Sequence, residues 1–530
     1  MWNIGRAVSV AVLFAVSVSG QGPTSPASSI AGGTPGRAGT AGTAGTSGSC
    51  EALSSLSMPN VRVTSASLVP AGAFAPPGEA GRGGRGNSFG TLRAFCRVAA
   101  TLTPSTDSDI RVEVWLPESG WNGKLQSVGN GGWAGVISYP ALATAVGAGF
   151  AAASTDTGHA TPGGSFALGH PEKLVDYAYR AVHDMTVVAK SALAQYYGRN
   201  AQFSYWNGCS MGGRQALKEA QRYPADYDGI IAGAPAINWT GRAAQSMRIA
   251  HALHTNDSSY IPPSKYPTIH AAALQACDAN DGVKDGIIED PIRCKFDPKV
   301  LECKGADGAT CLTAPQVEAA KKIYSAATDS AGHEIFPGLE PGSELGWATW
   351  GGAQPFATGI DHFRYVVFKD PSWDFRNLKP ETDLARAQEM DKGLINALDP
   401  NLKAFLARGG KMIQYHGWVD PQISPRSSVR YYEDVLKTMG PAARVQDSYR
   451  LFMVPGMAHC GGGEGPNSFN MVSAIQEWVE NKKAPDQIIA SRVTNGAATR
   501  TRPLCPFPQI AKYKGTGSTD EAANFSCAIP

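Results

Sequence analysis

The hexapeptide Gly208-Cys209-Ser210-Met211-Gly212-Gly213 constrains this chain more than any other stretch. It fits G-x-S-x-G, a turn so tight that glycines must flank the serine, which requires a strand before it and a helix after it. Phe203-Ser204-Tyr205-Trp206-Asn207 reads as that strand and Arg214–Arg222 as that helix. The turn lifts the Ser210 hydroxyl out of the backbone, the first requirement of a nucleophile.

Strand and helix patterns alternate around this point. Ile110–Leu116 alternates as a strand, Leu125–Val128 follows, and Gly149–Thr155 reads as a buried strand ending at Asp156-Thr157-Gly158-His159. Over 176–197, Val182, Met185, Val188, Ala189 and Leu193 recur at helical spacing. Tyr227–Pro235 is the next strand after the serine helix. The rhythm then stops from Thr240 to about Pro400, where turns, aromatics and cysteines crowd, and returns with strand Lys411–Tyr415, helix Ser428–Met439, strand Tyr449–Val454 and helix Met471–Val479. Alternation of this kind predicts a mostly parallel sheet covered by helices. At 530 residues the chain exceeds the ~250–300 residues of a single core, so 240–400 is expected to be an inserted lid within a body made of 50–239 and 401–530. The alternative for that insertion is a second structural domain with no part in the site.

Two residues complete the serine's chemistry. Asp420 follows the strand at Lys411–Tyr415, and His459 follows the strand at Tyr449–Val454. A serine hydroxyl needs a neutral imidazole to take its proton and a carboxylate to orient that imidazole. The order Ser210, Asp420, His459 is that of the α/β-hydrolase fold. Asp434 and Asp447 compete for the acid's place, and His416 and His159 for the base's, with His416 expected instead to line the pocket. The glycine-rich turn Gly129-Asn130-Gly131-Gly132-Trp133 would supply one oxyanion N–H, at Gly132, and Met211 the other.

Residues 1–20 hold Arg6, the apolar run Ala7–Val18 and then small residues, the order of an export signal, too short for the ~20 residues of a membrane span. Residues 21–49 are nearly all Gly, Ala, Ser, Thr and Pro and read as a flexible leader. A secreted or periplasmic protein is therefore expected, and the net charge of +2 offers no basic footprint for nucleic acid. Asn238, Asn256 and Asn524 open glycosylation sequons, which matter only in a eukaryotic host. Ten cysteines suit export. Many pairings are open; grouping along the chain suggests Cys50–Cys96, Cys277–Cys294, Cys303–Cys311 and Cys505–Cys527, leaving Cys209 and Cys460 over. A bridge between those two would hold Cα atoms roughly 4.4–6.8 Å apart and pin Ser210 near His459; the alternative is two unrelated buried thiols.

Cys209-Ser210, Asp420 and His459-Cys460 in this order resemble the CS–D–HC signature of the tannase and feruloyl esterase family of α/β hydrolases, which includes the esterase that cleaves mono(2-hydroxyethyl) terephthalate. The likeness runs from about Cys50 to Cys527 and implies all five pairings, Cys209–Cys460 among them. Within 277–290, Asp278, Asp281, Asp285, Glu289 and Asp290 gather hard oxygens that suit Ca²⁺, with a solvated acidic turn as the alternative. The spacing is not that of an EF-hand. The resemblance implies a structural calcium held by carboxylates of Asp278, Asp281 and Asp285 and carbonyls of Val283 and Ile287.

Trp347, Trp350, Phe356, Phe363, Tyr365, Phe368 and Trp373 crowd the lid's second half as pocket wall or lid core. Trp350, Arg364 and His416 are the substrate-binding candidates, Arg364 for a substrate carboxylate or hydroxyl. The apolar Met211 beside the nucleophile leaves no hydrogen-bonding wall there. The expected partner is a small aromatic ester, feruloyl first, with galloyl esters and terephthalate monoesters next. A catalytically silent binding protein of the same fold, or a peptidase, are the contrasting readings.

Overall fold

The computed structural model describes residues 48–77 and 89–530, which form one compact unit. The expected signal and leader, 1–49, lie outside them apart from the last two residues.

A nine-stranded sheet is the frame. Its strands are β1 (Val61–Val69), β2 (Phe95–Leu102), β3 (Ile110–Pro117), β4 (Lys124–Val128), β5 (Ala151–Thr155), β6 (Phe203–Cys209), β7 (Gly229–Gly233), β8 (Lys411–Gly417) and β9 (Tyr449–Val454). They lie in the order β1-β2-β3-β5-β4-β6-β7-β8-β9. From β5 to β9 every neighbouring pair is parallel, and β1, β2 and β3 add an antiparallel edge. The sequence shows why. Every residue of β5 and β7 is buried, as parallel strands covered on both faces require, whereas β1 alternates toward solvent at the edge.

Helix α1 (Ala181–Tyr197) buries Val182, Met185, Val188, Ala189 and Leu193, the stripe its periodicity predicts. One π-helical turn, Asp176–Arg180, precedes it, and Arg180 Nε donates to Asp176 Oδ1 at 2.5 Å within that turn. Helix α2 (Met211–Arg222) starts directly after the serine. The segment from helix α3 (Trp239–His254) to Pro400 contributes no strand to the sheet. Its apolar core is continuous with the sheet's carboxyl edge, for Trp133, Tyr177 and Met211 share one cluster with Trp239, Trp347, Trp350 and Phe363. Two-stranded ribbons, Ile488–Thr494 with Ala497–Leu504 and Ile510–Tyr513 with Phe525–Ala528, close the chain.

All five expected disulfides form: Cys50–Cys96, Cys209–Cys460, Cys277–Cys294, Cys303–Cys311 and Cys505–Cys527. Among the described residues no helix is long and apolar enough to cross a membrane.

Candidate active site

Ser210 stands between β6 and α2 with φ 65° and ψ −119°, a conformation that non-glycine residues rarely adopt. Three backbone bonds hold it there. Its N–H donates to Gly233 at 2.9 Å, and its carbonyl accepts from Arg214 and Ala236, both at 3.1 Å. The turn closes only because side chains are absent: a Cβ on Gly208 would lie 2.6 Å from Gly212, and one on Gly213 would lie 2.3 Å from the Gly233 carbonyl.

Asp420 is fully buried just beyond β8, and all its acceptor capacity is used. Oδ1 accepts from the N–H groups of Gln422 at 2.7 Å and Ile423 at 3.1 Å. Oδ2 accepts from His459 Nδ1 at 2.7 Å and His416 Nε2 at 3.0 Å. Burial alone would push its pKa up, but the charges and hydrogen bonds of His459 and His416 outweigh burial and hold the carboxyl well below the usual range. With Nδ1 engaged by Asp420, Nε2 is the His459 nitrogen that Asp420 does not hold. The Cys209–Cys460 disulfide, with Cα atoms 6.0 Å apart, ties the residue before Ser210 to the residue after His459.

The rivals separate clearly. His159 Nε2 is hydrogen-bonded to the Trp133 carbonyl at 2.7 Å, its ring stacks on Phe166, and burial pushes its pKa down to about 4. Asp434 is exposed on helix α4 (Arg426–Met439). His416 departs from expectation: it is completely buried behind Asp420, with Nδ1 on Ser428 Oγ at 2.7 Å, and so supports the acid instead of lining the pocket. Its four-residue spacing from Asp420, across the end of β8, was the signal available in the sequence.

Gly132 has φ 54° in the loop after β4. Met211 opens α2, so its N–H belongs to the first helical turn and has no acceptor within the helix. The two are held in place by residues that motif reading missed. Gly212 N–H donates to the Asn130 carbonyl at 2.8 Å, and Gln215 bonds both the Asn130 N–H and its side chain, at 3.1 and 3.0 Å. Tyr177, carried by the π turn, donates its hydroxyl to the Gly132 carbonyl at 3.1 Å. Buried Arg214 bonds the carbonyls of Tyr177, Ala178 and Ile395, tying that turn and the lid to the serine helix.

Arg364 donates Nε to the Trp373 carbonyl at 2.9 Å and so holds the lid's own turn. Trp350 is buried in the lid core, as are Trp347 and Phe363. Among the described residues, Arg242 on α3 is a buried arginine whose Nε and Nη2 have no acceptor.

The acidic loop is ordered against the C-terminal ribbons. Asp278 accepts from the N–H groups of Asp285 and Gly286 at 3.1 and 3.0 Å, Asp281 from Val283 at 2.9 Å, and Asp285 from Ile287 at 3.2 Å. Arg502 bonds Asp285 Oδ2 at 2.6 Å. Glu289 accepts from Ala511, yet its buried Oε2 has no hydrogen-bond donor, and burial pushes its pKa up to about 8. Glu289 Oε2 lies 4.0 Å from Arg502 Nη1, and carboxylate oxygens gathered in this way suit a hard cation such as Ca²⁺.

The chain matches the family model "Tannase and feruloyl esterase" over residues 96–528. It is 38% identical to an uncharacterized esterase of Xanthomonas campestris, covering 90% of each chain. It is 35% identical to a probable feruloyl esterase B-1 of Aspergillus oryzae, covering 89% of this chain and 91% of that one. The crystal structure of feruloyl esterase B from Aspergillus oryzae superposes with a TM-score of 0.86 at 33% identity, over 90% of this chain and 99% of that one. Tannin acyl hydrolase from Aspergillus niger shares the fold, with a TM-score of 0.75 at 24% identity over 90% and 93% of the two chains. The chain belongs to the tannase and feruloyl esterase family and is a carboxylic ester hydrolase of the α/β-hydrolase fold.

Proposed function

We propose that the protein is an exported serine esterase that cleaves esters of aromatic acids, of feruloyl type, through an acyl-enzyme. The 2.7 Å bond between His459 Nδ1 and buried Asp420, beside a serine in the strained elbow, carries this reading. Ser210 Oγ attacks the ester carbonyl while His459 Nε2 takes its proton. Asp420 holds the imidazole in the tautomer with hydrogen on Nδ1 and stabilises the imidazolium as it forms. The N–H groups of Met211 and Gly132 receive the oxyanion. The proton on His459 then passes to the departing alcohol, leaving the acyl group on Ser210, and water activated by the same histidine releases the acid.

Support for an aromatic acyl group comes from Trp133, Tyr177 and Trp239, whose rings pack edge-on or tilted within 6.1 Å of one another beside Gly132 and Met211. The signal-like residues 1–20 and the disulfides support export to an oxidising compartment. Ca²⁺ would be held by Asp278, Asp281 and Asp285 with the carbonyls of Val283 and Ile287, and would stiffen the lid. Methyl ferulate hydrolysis by the wild type and by Ser210→Ala tests the reading: the variant should lose roughly 10⁴-fold or more in kcat, and equal rates would end it.

A further inference from the structure

Away from the catalytic residues, three metal-ligating side chains converge where α1, the end of α2 and the turn before β7 meet. His183 lies on α1, Glu219 in the last turns of α2, and Asp226 between α2 and β7. One ligand atom of each lies within 4.8 Å of the other two. His183 Nδ1 is 2.7 Å from Asp226 Oδ2, and the imidazole stacks on Tyr223 with ring centroids 3.8 Å apart, which fixes its orientation. The His183 side chain is 29% exposed, so an ion can enter from solvent.

Glu219 is 1% exposed, and neither of its carboxylate oxygens has a hydrogen-bond partner. Buried charges are ordinarily paired or bound to metals. What faces Glu219 is a second carboxyl, Asp226; burial, with the charge of Asp226 adding to it, pushes the Glu219 pKa well up. Lys190 comes near, but its ammonium donates to the Asp226 carbonyl at 2.6 Å. Among the described residues no lysine or arginine forms an ion pair with Glu219 or Asp226, whose one ionic neighbour is His183.

An imidazole nitrogen with two carboxylates is a donor set for a borderline divalent ion such as Zn²⁺, which binds nitrogen and oxygen at about 2.0–2.2 Å and leaves a fourth position to water. It suits Ca²⁺ poorly, since that ion takes about six to eight oxygens. The acidic loop at 277–290, with oxygen donors alone, has the opposite preference. A further grouping, Cys303, Asp307 and Cys311, is equally close-set, but its sulfurs are joined in a disulfide and offer no thiolate.

We infer that His183, Glu219 and Asp226 bind Zn²⁺, or a divalent ion of the same borderline character, and that the ion clamps the end of the serine helix to α1 and to the turn before β7. The ion would displace the proton between His183 and Asp226 to solvent and compensate Glu219. Glu219 stands about 13 Å along the helix axis from Ser210, so the clamp acts on stability. The inference is independent of the esterase reading.

The test measures the melting temperature of the tag-free full chain, stripped of transition metals and kept in saturating Ca²⁺ so that the acidic loop stays out of the comparison. Zn²⁺ should raise the wild-type value by roughly 2–4 °C, and calorimetry should find Zn²⁺ binding whose enthalpy depends on the buffer, the mark of proton release. Glu219→Gln keeps the shape and removes the charge. Without Zn²⁺ it should melt at or above the wild type, because its amide can donate to Asp226, and its response to Zn²⁺ should vanish. His183→Phe keeps a ring to stack on Tyr223 and should lose the response too. A wild type indifferent to Zn²⁺ would mean that Glu219 and Asp226 merely share a proton, and overturns the inference. A rise retained in either folded variant places the ion elsewhere and overturns it as well. Should one variant fail to fold, the other decides.

Discussion

His416 and His459 donate to the same oxygen, Oδ2, of the fully buried Asp420, at 3.0 and 2.7 Å. His416 Nδ1 faces Ser428 Oγ at 2.7 Å and its Nε2 also faces the Ile423 carbonyl at 3.2 Å, so both ring nitrogens are engaged. In the proposed mechanism His416 is thus a positioning residue, acting on His459 through Asp420.

His416→Phe should lower kcat by about ten- to a hundredfold, the worth of one hydrogen bond to a charged group expressed in the transition state. KM should change little, because His416 does not reach substrate. His416→Asn, which retains a donor, should recover part of the loss. A uniform loss of folded protein with kcat per folded molecule intact would show that His416 only fills space.

The Cys209–Cys460 bridge closes a span of 251 residues, and the chain-entropy treatment assigns about 5 kcal/mol to a loop of that length. Cys209→Ala with Cys460→Ala should therefore lower the melting temperature markedly. Because the bridge flanks both Ser210 and His459, kcat should also fall when measured well below the melting transition. A stable double variant with full kcat would show that the bridge is incidental to geometry.

What local pattern could reveal, it did. Strand Tyr449–Val454 has the bounds its apolar run predicts, and the stripe of α1 is the one its spacing indicates. The elbow was legible because Gly208, Ser210 and Gly212 lie within one contiguous motif. Residues whose roles depend on distant partners were not. Arg242 has no motif around it, and its isolation appears only when Trp239, Phe356 and His362 are folded against it. His416 was drawn toward the pocket because its strand ends there, yet the pleat turns it behind Asp420. Arg364 looked free among aromatics, but its partner is a backbone carbonyl, that of Trp373, which composition cannot disclose. The π turn at Asp176–Arg180 was hidden because one extra residue per turn leaves the apolar periodicity of α1 intact.

Asp156, just past β5, has its pKa pushed up to about 7 by burial, despite N–H donation to Oδ1 from Arg111 and Gly158, each at 2.9 Å. An acid whose folded pKa exceeds its unfolded value of ~3.9 takes up a proton on folding, so stability falls as pH rises from about 4 through about 7. Asp156→Asn keeps the Oδ1 acceptor and removes the titration. The melting temperature of the variant relative to wild type should rise between pH 5 and pH 8, and a difference independent of pH would refute the assignment.

Chelation tests the acidic loop. Asp278 and Glu289 are each 5% exposed, and Asp281 has its pKa pushed up to about 6 by burial, with the charge of Asp285 adding to the effect. Carboxylates in such surroundings are stabilised by a divalent cation. Saturation at a hundred times the dissociation constant contributes about 2.7 kcal/mol. Excess EGTA should therefore lower the melting temperature by several degrees, and added Ca²⁺ should restore it. Asp281→Asn should start from the lower temperature and respond to neither. Activity should follow stability, declining near the melting transition while kcat at low temperature holds, because the proposed calcium ligands are none of the proposed catalytic residues Ser210, Asp420 and His459. A melting temperature indifferent to both EGTA and Ca²⁺ would leave Arg500 and Arg502, which already face Asp285, as the whole of its charge compensation.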